Sequence, residues 1–307
     1  MKKKILIIGG SGFLGYHLAK FCLNNKRWKT TIVSTKKPPK IRYLPQAKYI
    51  KLDITNKLEI KKKIIFDYDY VVNLAGYVNH YEKTKTYNSH YKGCKNLVDF
   101  FLKRNIKSFI QIGSCTEYGS TKSPQSEKLH FDVSKIKSTY GKAKLMASNY
   151  LLKKYKNNNF PCTILRLYLV YGPRQDFNRL VPIVIKSCIK NKTFPCSSGN
   201  QKRDFLYVDD FVKVVIKCLT SKFSKGQVFN VGSSNPMKVK YVINLIKNKI
   251  KSGNPQFGKI PLRKDEIKSL YPNINKSLKK LNWKPKIKFL TGIKKTIKYY
   301  QKSLKYN

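Results

Sequence analysis

A tyrosine and a lysine four residues apart, Tyr140 and Lys144, are the first side chains in this sequence whose types and spacing could do chemistry. They stand at the start of a stretch with a helical pattern, and a helix places residues four apart on one face. An ammonium group beside a phenol favours the phenolate, so Lys144 is expected to lower the pKa of Tyr140 and make it an acid/base group near neutral pH. In a chain with this many lysines the same pair also arises by chance, so the pair alone does not decide the function.

Hydroxyl groups follow a predicted strand at residues 108–114, where Ser114 and Thr116 stand two positions apart. Ser114 could hold the same substrate oxygen that Tyr140 serves. Cys115 lies between them, but no histidine has a spacing to it that would support a thiol mechanism, so we interpret it as a small packing residue. The histidines show no metal-ligand spacing and the cysteines form no C-x-x-C pair, so no metal site is predicted.

A glycine-rich turn near the start of the chain could bind the phosphates of a nucleotide. An apolar, strand-like run at residues 5–8 leads into G-x-G-x-x-G, and a helical pattern follows. Glycines allow a tight turn and a close approach of backbone to a pyrophosphate, and the N-terminus of the next helix offers free N–H groups. The residues predicted to contact a dinucleotide in this turn are Gly9, Gly12, Phe13, Leu14 and Gly15.

The end of the next predicted strand, residues 28–34, bears on the identity of the dinucleotide. About twenty positions after the glycines an acidic residue would accept the ribose 2′-hydroxyl of NAD, whereas Ser34 and Lys36 stand here. We therefore expect NADP(H) in preference to NAD(H), although the lysine also belongs to a general surplus. Further along, Asp53 and Ile54 end a short strand, and the Asp53 carboxylate could either accept a hydrogen bond from adenine or cap the following helix.

Strand-like and helix-like stretches alternate over the first half of the chain, as in a helical pattern at residues 87–104. This alternation predicts an α/β fold with a doubly wound parallel sheet. The fourth predicted strand ends in the small residues Leu74, Ala75 and Gly76, where a cofactor could pass close to the backbone. The predicted strands occupy residues 5–8, 28–34, 47–54, 70–76 and 108–114.

The composition limits the class of protein. The chain has 307 residues, 41% of them hydrophobic, which is enough for a full α/β core. Its seven cysteines, an odd number, are typical of reduced thiols, and the apolar run after the N-terminal lysines is too short for a signal peptide or membrane span, so we predict a cytoplasmic location. The net charge of +50 could indicate a polyanion partner such as RNA. Because the lysines are spread over the whole length, we interpret the charge as a general bias of composition and predict no specific nucleic-acid partner.

Taken together, these motifs resemble those of the extended short-chain dehydrogenase/reductase family, which comprises nucleotide-sugar epimerases, dehydratases and reductases. The resemblance continues beyond Lys144 to about residue 297. It includes L-R-L-Y-L-V-Y-G-P from residue 165, R-D-F-L-Y-V-D-D from residue 203 and F-N-V-G from residue 229.

The resemblance also implies how the chain is divided. A Rossmann dinucleotide-binding domain would span residues 1–172, with residues 203–232 returning to it. A smaller C-terminal substrate-binding lobe would comprise residues 173–202 and 233–307, packed by an amphipathic helix at residues 284–305. By the same resemblance the protein is expected to form a homodimer.

The resemblance assigns roles to residues at matching positions. Tyr140 would be the acid/base, Lys144 would lower its pKa and hold the nicotinamide ribose, and Ser114 would bond the reacting oxygen with Thr116 close by. Tyr168 would lie near the nicotinamide. The resemblance implies a nucleotide-diphosphate sugar as the substrate. Arginines would hold its diphosphate, because guanidinium groups make forked hydrogen bonds to phosphate oxygens. The arginines expected on the substrate side are Arg179, Arg203 and Arg263.

Departures from the family pattern narrow the expected reaction. Dehydratases of this family carry Asp-Glu directly after the hydroxyl that corresponds to Ser114, whereas Cys115 and Thr116 stand here, so dehydration is not expected. His90 replaces a usual asparagine and could be either catalytic or a replacement that keeps one hydrogen bond. Leu169 stands where many epimerases have an asparagine. We therefore expect reduction of a nucleotide-activated 4-keto-6-deoxyhexose in surface-polysaccharide precursor synthesis; a 4-epimerase and an RNA- or polyanion-binding protein on the same scaffold are the alternatives.

Overall fold

Strands and helices alternate along most of the chain. The computed structural model describes residues 2–129, 132–262 and 266–305. The strands are β1 Lys3–Ile8, β2 Trp28–Ser34, β3 Lys48–Lys51, β4 Tyr70–Asn73, β5 Ser108–Ser114, β6 Cys162–Leu167, β7 Leu169–Tyr171, β8 Thr193–Pro195, β9 Lys202–Tyr207, β10 Gln227–Val231, β11 Pro236–Lys238, β12 Asn254–Gln256 and β13 Ser269–Leu270. The helices are α1 Phe13–Leu23, α2 Lys57–Lys63, α3 Lys83–Tyr87, α4 Gly93–Phe101, α5 Thr139–Asn158, α6 Leu180–Ile189, α7 Val208–Thr220, α8 Val239–Ile250, α9 Asn275–Leu281 and α10 Phe289–Lys305.

Strand β1 lies inside a parallel sheet. Within the described residues seven strands join this sheet in the order β10-β6-β5-β4-β1-β2-β3, and every neighbouring pair is parallel. The chain builds outward to β3 on one side of β1 and then returns to β4 on the other side, so a crevice opens between the carboxyl ends of β1 and β4. The predicted doubly wound, Rossmann-like α/β fold is confirmed.

The central strands are apolar on both faces because helices cover both faces of the sheet. Ile5 and Ile7 of β1 contribute to one hydrophobic core, together with residues of α1 and α7. Leu6 and Ile8 contribute to a second core with residues of α4 and α5. Strands β5 and β6 are buried along their whole length, which is typical of parallel strands between two helical layers.

Two predicted helices have different boundaries in the structure. The helical stretch predicted at residues 87–104 is interrupted, since a π-helical turn at Asn88–Lys92 separates α3 from α4. The extra residue of a π turn does not show in an apolar periodicity, so the sequence pattern could not indicate it. The C-terminal helix expected from residue 284 begins at Phe289. Pro285 lacks an N–H and disfavours helical backbone at the residue before it, which accounts for the later start.

Shorter strands form two further sheets outside the central one. Strand β9 pairs with β7, β11 and β13, and β8 pairs with β12. In the segment expected to return to the dinucleotide-binding domain, β10 joins the central sheet and α7 packs beside α1, whereas β9 belongs to the small sheet. The division into two lobes stays a prediction.

The described residues contain neither a membrane-spanning helix nor a cluster of metal ligands. Among residues 2–129, 132–262 and 266–305, no helix has both the length and the apolar character needed to cross a bilayer. In the same part of the chain, no three histidine, cysteine, aspartate or glutamate side chains come together in a group that could hold a metal ion. All seven cysteines are buried and unpaired.

The turn between β1 and α1 has no room for side chains at two of its glycines. Gly9 has a φ of +77°, and a Cβ on it would lie 2.8 Å from the backbone nitrogen of Ala75. A Cβ on Gly15 would lie 2.5 Å from the Cα of Gly10. At Gly12, by contrast, the nearest atom to an added Cβ is a carbonyl oxygen at 3.3 Å.

We predict that Gly15→Ala lowers the free energy of unfolding by about 1–3 kcal/mol, the usual cost of overpacking, despite the higher helix propensity of alanine. The contact is with backbone, which cannot move aside as a flexible side chain can. Gly12→Ala is the control and should cost less, since its contact is looser. Urea unfolding of both variants measures the difference, and equal losses would contradict the close packing at Gly15.

Candidate active site

The start of α1 faces the crevice at the carboxyl end of β1. Gly12 is the N-cap residue of α1, and no side chain caps the helix there. The N–H groups of the first turn are therefore available to an anion, and the helix dipole favours negative charge at this end. Because Gly9 lies directly against Ala75, the structure brings the predicted contacts of the turn together with Leu74, Ala75 and Gly76, which are half-buried.

The end of β2 forms the second part of the predicted dinucleotide site. The Ser34 hydroxyl donates to the Lys36 carbonyl oxygen at 2.7 Å, and the Lys36 side chain is exposed. Asp53 is also exposed, and its carboxylate accepts hydrogen bonds from the backbone N–H and the hydroxyl of Thr55. The next helix is capped by Asn56. Ile54 is buried in the core, and its role in cofactor binding stays a prediction.

The loop after β5 is fixed by a buried carboxylate. Glu117 is fully buried, and its Oε1 accepts a hydrogen bond from the Ser114 backbone N–H at 2.8 Å. Its Oε2 accepts hydrogen bonds from Ser148 Oγ and Arg166 Nε, both at 2.8 Å. The spacing of Ser114 and Glu117 is that of a capping box, so the sequence carries a signal for this role of Glu117.

The hydroxyls predicted at this loop do come together. Thr116 donates to Ser114 Oγ through its hydroxyl at 2.9 Å and through its backbone N–H at 3.2 Å. Ser114 Oγ thus accepts two hydrogen bonds, which leaves its own O–H to donate to Tyr140. A hydrogen bond with Ser114 also acts to lower the pKa of Tyr140, so the phenol and this hydroxyl lie side by side.

Tyr140 and Lys144 lie in the first turns of α5, whose N-terminus is capped by the Ser138 hydroxyl. The Lys144 ammonium donates to the Ile112 carbonyl oxygen at 2.6 Å and lies 5.9 Å from the centre of the Tyr140 ring. Burial lowers the pKa of Lys144 to about 8, against the opposing effects of Glu117 and Cys94.

The expectation that the pKa of Tyr140 is lowered is wrong. Burial raises the pKa of Tyr140 to about 12, and the hydrogen bond with Ser114 offsets only part of that rise. The physical reason is that removal of the phenol from water disfavours the phenolate. Tyr140 is therefore a proton donor in this state.

His80 is a residue of this site that the sequence analysis missed. Its imidazole stacks on the Tyr140 ring with centroids 4.0 Å apart and an interplanar angle of 12°. Burial against the ring, Arg179 and Lys144 all lower the pKa of His80, so the imidazole is neutral near pH 7. No sequence signal could reveal this contact, because it depends on the path of the loop after β4.

The predicted substrate-side residues differ in their surroundings. Arg179 is the exposed N-cap residue of α6, and its charge acts on both Tyr140 and His80, so it faces the same cleft. Arg203 is largely buried, donates to the Lys202 and Ile267 carbonyl oxygens at 2.7 and 2.8 Å, and forms an ion pair with Glu266. Its guanidinium is thus already neutralised by a carboxylate in the unliganded protein.

The two remaining predicted residues are Tyr168 and Arg263. Tyr168 is buried, and its hydroxyl donates to Gln125 Oε1 at 2.7 Å, so the hydroxyl is held within the protein. Arg263 lies outside the described residues. The catalytic and binding roles of all these residues stay predictions.

Comparisons with known proteins fit this arrangement. The sequence model of the NAD dependent epimerase/dehydratase family matches residues 5–232. The chain is 27% identical to CDP-abequose synthase from Salmonella muenchen, over 97% of this chain and 98% of that protein. It is also 27% identical to a putative UDP-glucose 4-epimerase from Methanocaldococcus jannaschii, over 96% and 97% of the two chains. The crystal structure of UDP-glucuronic acid 4-epimerase from Bacillus cereus with UDP-glucuronic acid and NAD superposes with a TM-score of 0.84, at 24% identity over 98% of this chain and 99% of that one.

We predict that Arg166→Met destabilises the protein by about 3–5 kcal/mol, because it leaves the buried Glu117 carboxylate without its cation. The double variant Arg166→Met/Glu117→Gln should recover part of this loss. The exposed pair of Lys85 and Glu82, at 2.5 Å, is the control, and Lys85→Met should cost far less, because water screens an exposed ion pair. Denaturant unfolding at pH 7 measures all three, and similar costs for the buried and the exposed pair would refute the structural role of Glu117.

We also predict a pH effect on stability that depends on Lys144. Between the folded pKa of about 8 and the ordinary value of 10.5, the unfolded chain keeps the lysine proton and the folded chain has lost it. Stability therefore rises with pH across this window. Relative to Lys144→Met, the parent should gain about 1–2 kcal/mol in unfolding free energy between pH 7.5 and pH 9.5. Parallel stability curves for the two proteins would show that the folded pKa is not lowered.

Proposed function

Because the chain belongs to the NAD-dependent epimerase/dehydratase family, a family of nucleotide-sugar enzymes, we propose that it is an NAD(P)-dependent reductase of a nucleotide-activated 4-keto-6-deoxyhexose. Such a reaction would serve precursor synthesis for surface polysaccharide. The observation that supports this proposal over a dehydratase is the grouping of Ser114, Thr116 and Tyr140 at the carboxyl end of β5, with no carboxylate at Cys115 or Thr116.

The glycine turn fits a dinucleotide. The tight contacts at Gly9 and Gly15 hold the backbone of the turn in place, while Gly12 leaves its outer side open to a phosphate at the start of α1. Bound NAD(P)H would supply the hydride for the keto carbon.

The residues of this chain would supply the proton and the orientation. When the keto carbon gains a hydride, an electron pair moves to the keto oxygen, which must then gain a proton. Tyr140, protonated in the unliganded site, donates that proton, and Ser114 holds the oxygen by a hydrogen bond. The phenolate left on Tyr140 is stabilised by the nearby Lys144 ammonium, which the Ile112 carbonyl oxygen holds in place.

A dehydratase is disfavoured by the state of the nearest carboxylate. Glu117 follows Thr116 directly, yet it is fully buried and is bound to Arg166, Ser148 and the Ser114 backbone. A carboxylate held in this way is not available for removing water from a sugar.

A nucleotide-sugar 4-epimerase is the second candidate. Two of the similar proteins are named as 4-epimerases, and the same tyrosine, serine and lysine could serve that reaction. The two candidates differ in what happens to the cofactor, since an epimerase regenerates it in each cycle and a reductase consumes it. Tightly retained NAD in the purified protein would favour the epimerase.

We propose NADP(H) as the preferred cofactor, with NAD(H) possible. The exposed Lys36 beyond the end of β2, where no carboxylate stands, supports a 2′-phosphate. A similar protein of known structure has NAD bound, which supports the alternative. Relative rates with NADPH and NADH decide between them.

We propose that the diphosphate of the substrate lies against Arg179, with Arg203 and Arg263 as further contacts. Arg179 supports this placement because its charge already acts on Tyr140. For Arg203 to bind phosphate, the ion pair with Glu266 would have to open.

A homodimer and a cytoplasmic location are kept as further proposals. Seven unpaired cysteines fit a reducing compartment.

We expect the purified protein to oxidise NADPH when given nucleotide 4-ketosugars, and Tyr140→Phe to lower kcat by about 10²–10⁴-fold, the usual contribution of a proton donor. Absorbance at 340 nm follows the reaction across a panel of CDP-, dTDP-, GDP- and UDP-linked ketosugars. Tyr155→Phe, the same change at the other end of α5, is the control and should keep the parent rate. A Tyr140→Phe variant as fast as the parent would eliminate the mechanism, and tight RNA binding that survives 200 mM salt would instead support the polyanion alternative.

A further inference from the structure

His90 lies against the Tyr140 ring, on the π-helical turn between α3 and α4. Its side chain is 6% exposed, and Nε2 lies 3.1 Å from the Tyr77 carbonyl oxygen. A carbonyl oxygen can only accept, so Nε2 carries the proton of this contact. In a neutral imidazole the other nitrogen, Nδ1, then has a lone pair and acts as an acceptor.

Nδ1 of His90 is buried, and no donor among the described residues reaches it. The ring lies directly against Gly76: a Cβ on Gly76 would come within 1.8 Å of His90 Cε1 and 2.3 Å of Nδ1. Buried polar atoms are almost always hydrogen-bonded, so an acceptor held in this way points to a partner that is not a protein side chain.

The groups that face His90 come from three elements. Tyr140 and Lys144 face it from α5; the Tyr140 ring is edge-on to the imidazole, with centroids 4.9 Å apart. His80 faces it from the loop after β4, with centroids 5.9 Å apart. Burial and the Lys144 charge lower the pKa of His90 to about 2, so the imidazole stays neutral and keeps its lone pair.

Lys144 has hydrogen-bond donors that need acceptors. An ammonium carries three N–H donors, and within the described residues one of them is engaged, by the Ile112 carbonyl oxygen. Glu117 and Cys94 act on its charge from the other side. A hydroxyl is the smallest group that can donate to the imidazole and accept from the ammonium at the same time.

We propose that Nδ1 of His90 accepts a hydrogen bond from a hydroxyl, and that the same hydroxyl accepts a hydrogen bond from Lys144. The hydroxyl belongs to a buried water or to a bound ligand. His90 is thereby a positioning residue for Lys144 and Tyr140. The proposal rests on the proposed function, in which the Lys144 ammonium stabilises the phenolate that Tyr140 becomes when it donates its proton. His90 does not exchange a proton itself.

Three substitutions separate the two nitrogens of His90. In His90→Asn the amide oxygen takes the place of Nδ1 and the bond to Tyr77 is lost. In His90→Gln the longer amide reaches the place of Nε2 and no acceptor remains at the place of Nδ1. His90→Leu has nearly the shape of asparagine and offers neither group, so it is the matched control for His90→Asn.

The pH dependence of kcat with a 4-ketosugar is the first readout. The acceptor stabilises the charged form of Lys144, so its loss should move the alkaline limb of kcat about one pH unit lower. We expect His90→Asn to keep the limb and to stay within about 3-fold of the parent. His90→Gln and His90→Leu should show the shifted limb and a kcat about 10- to 100-fold lower with little change in KM, as for the loss of a hydrogen bond to a charged group. If His90→Gln keeps the parent profile and His90→Asn loses it, His90 serves only to hold Tyr77, and the proposal is overturned.

The second readout needs no substrate. ¹⁵N NMR of the four histidines, assigned by the His90 variants, reports both tautomer and hydrogen bonding. We expect His90 to keep the Nε2–H tautomer from pH 5 to pH 9, with a hydrogen-bonded Nδ1. The Nδ1 signal should change on addition of NADP⁺ if the hydroxyl belongs to the cofactor. It should stay unchanged if the hydroxyl belongs to water. A parent protein inactive on every ketosugar would refute the proposed function alone, whereas an Nδ1 signal free of hydrogen bonding, with and without the cofactor, would refute the role of His90.

Discussion

The buried carboxylate of Glu117 holds the candidate active site together. It accepts hydrogen bonds from the Ser114 backbone on β5, from Ser148 on α5 and from Arg166 on β6. Three elements that are distant in sequence therefore meet at one negative charge with no access to water. An unpaired charge at this depth would cost several kcal/mol, so this arrangement of the three elements is strongly favoured. The distance between Ser114 and the Tyr140 side chain on α5 is thus set by a residue that lies behind both.

Loss of solvent decides the protonation of the site. The spacing of Tyr140 and Lys144 favours a phenolate, but burial acts on each group in the direction of its neutral form. Burial is the largest effect on the pKa of both groups, and the ammonium lies 5.9 Å from the centre of the phenol ring. The site therefore holds a protonated phenol beside a lysine whose pKa is lowered to about 8. This state suits a reaction whose product oxygen must gain a proton.

The fold could be read from the sequence because its signals are local. Apolar runs that end in glycine or small residues mark parallel strands buried on both faces, and the glycine turn has one arrangement that fits between β1 and α1. Contacts between distant segments were not readable in this way. The pairing of Arg203 with Glu266 and the stacking of His80 on Tyr140 depend on where loops lie in the folded chain. The direction of the Tyr140 pKa was mispredicted for the same reason, since burial is a property of the whole fold.

Reduction and epimerisation make the same demand on the residues at the end of β5. Each needs one proton-transfer group, one hydroxyl that holds the reacting oxygen and one cation that stabilises the phenolate. The two reactions separate at the other end of the dinucleotide, because a reductase must release its cofactor in every cycle and an epimerase gains from keeping it. At that end the Ser34 hydroxyl is bound to the loop that follows it, and Lys36 and Asp53 are exposed. Retention or exchange of the cofactor at this end of the site therefore separates the two proposed reactions.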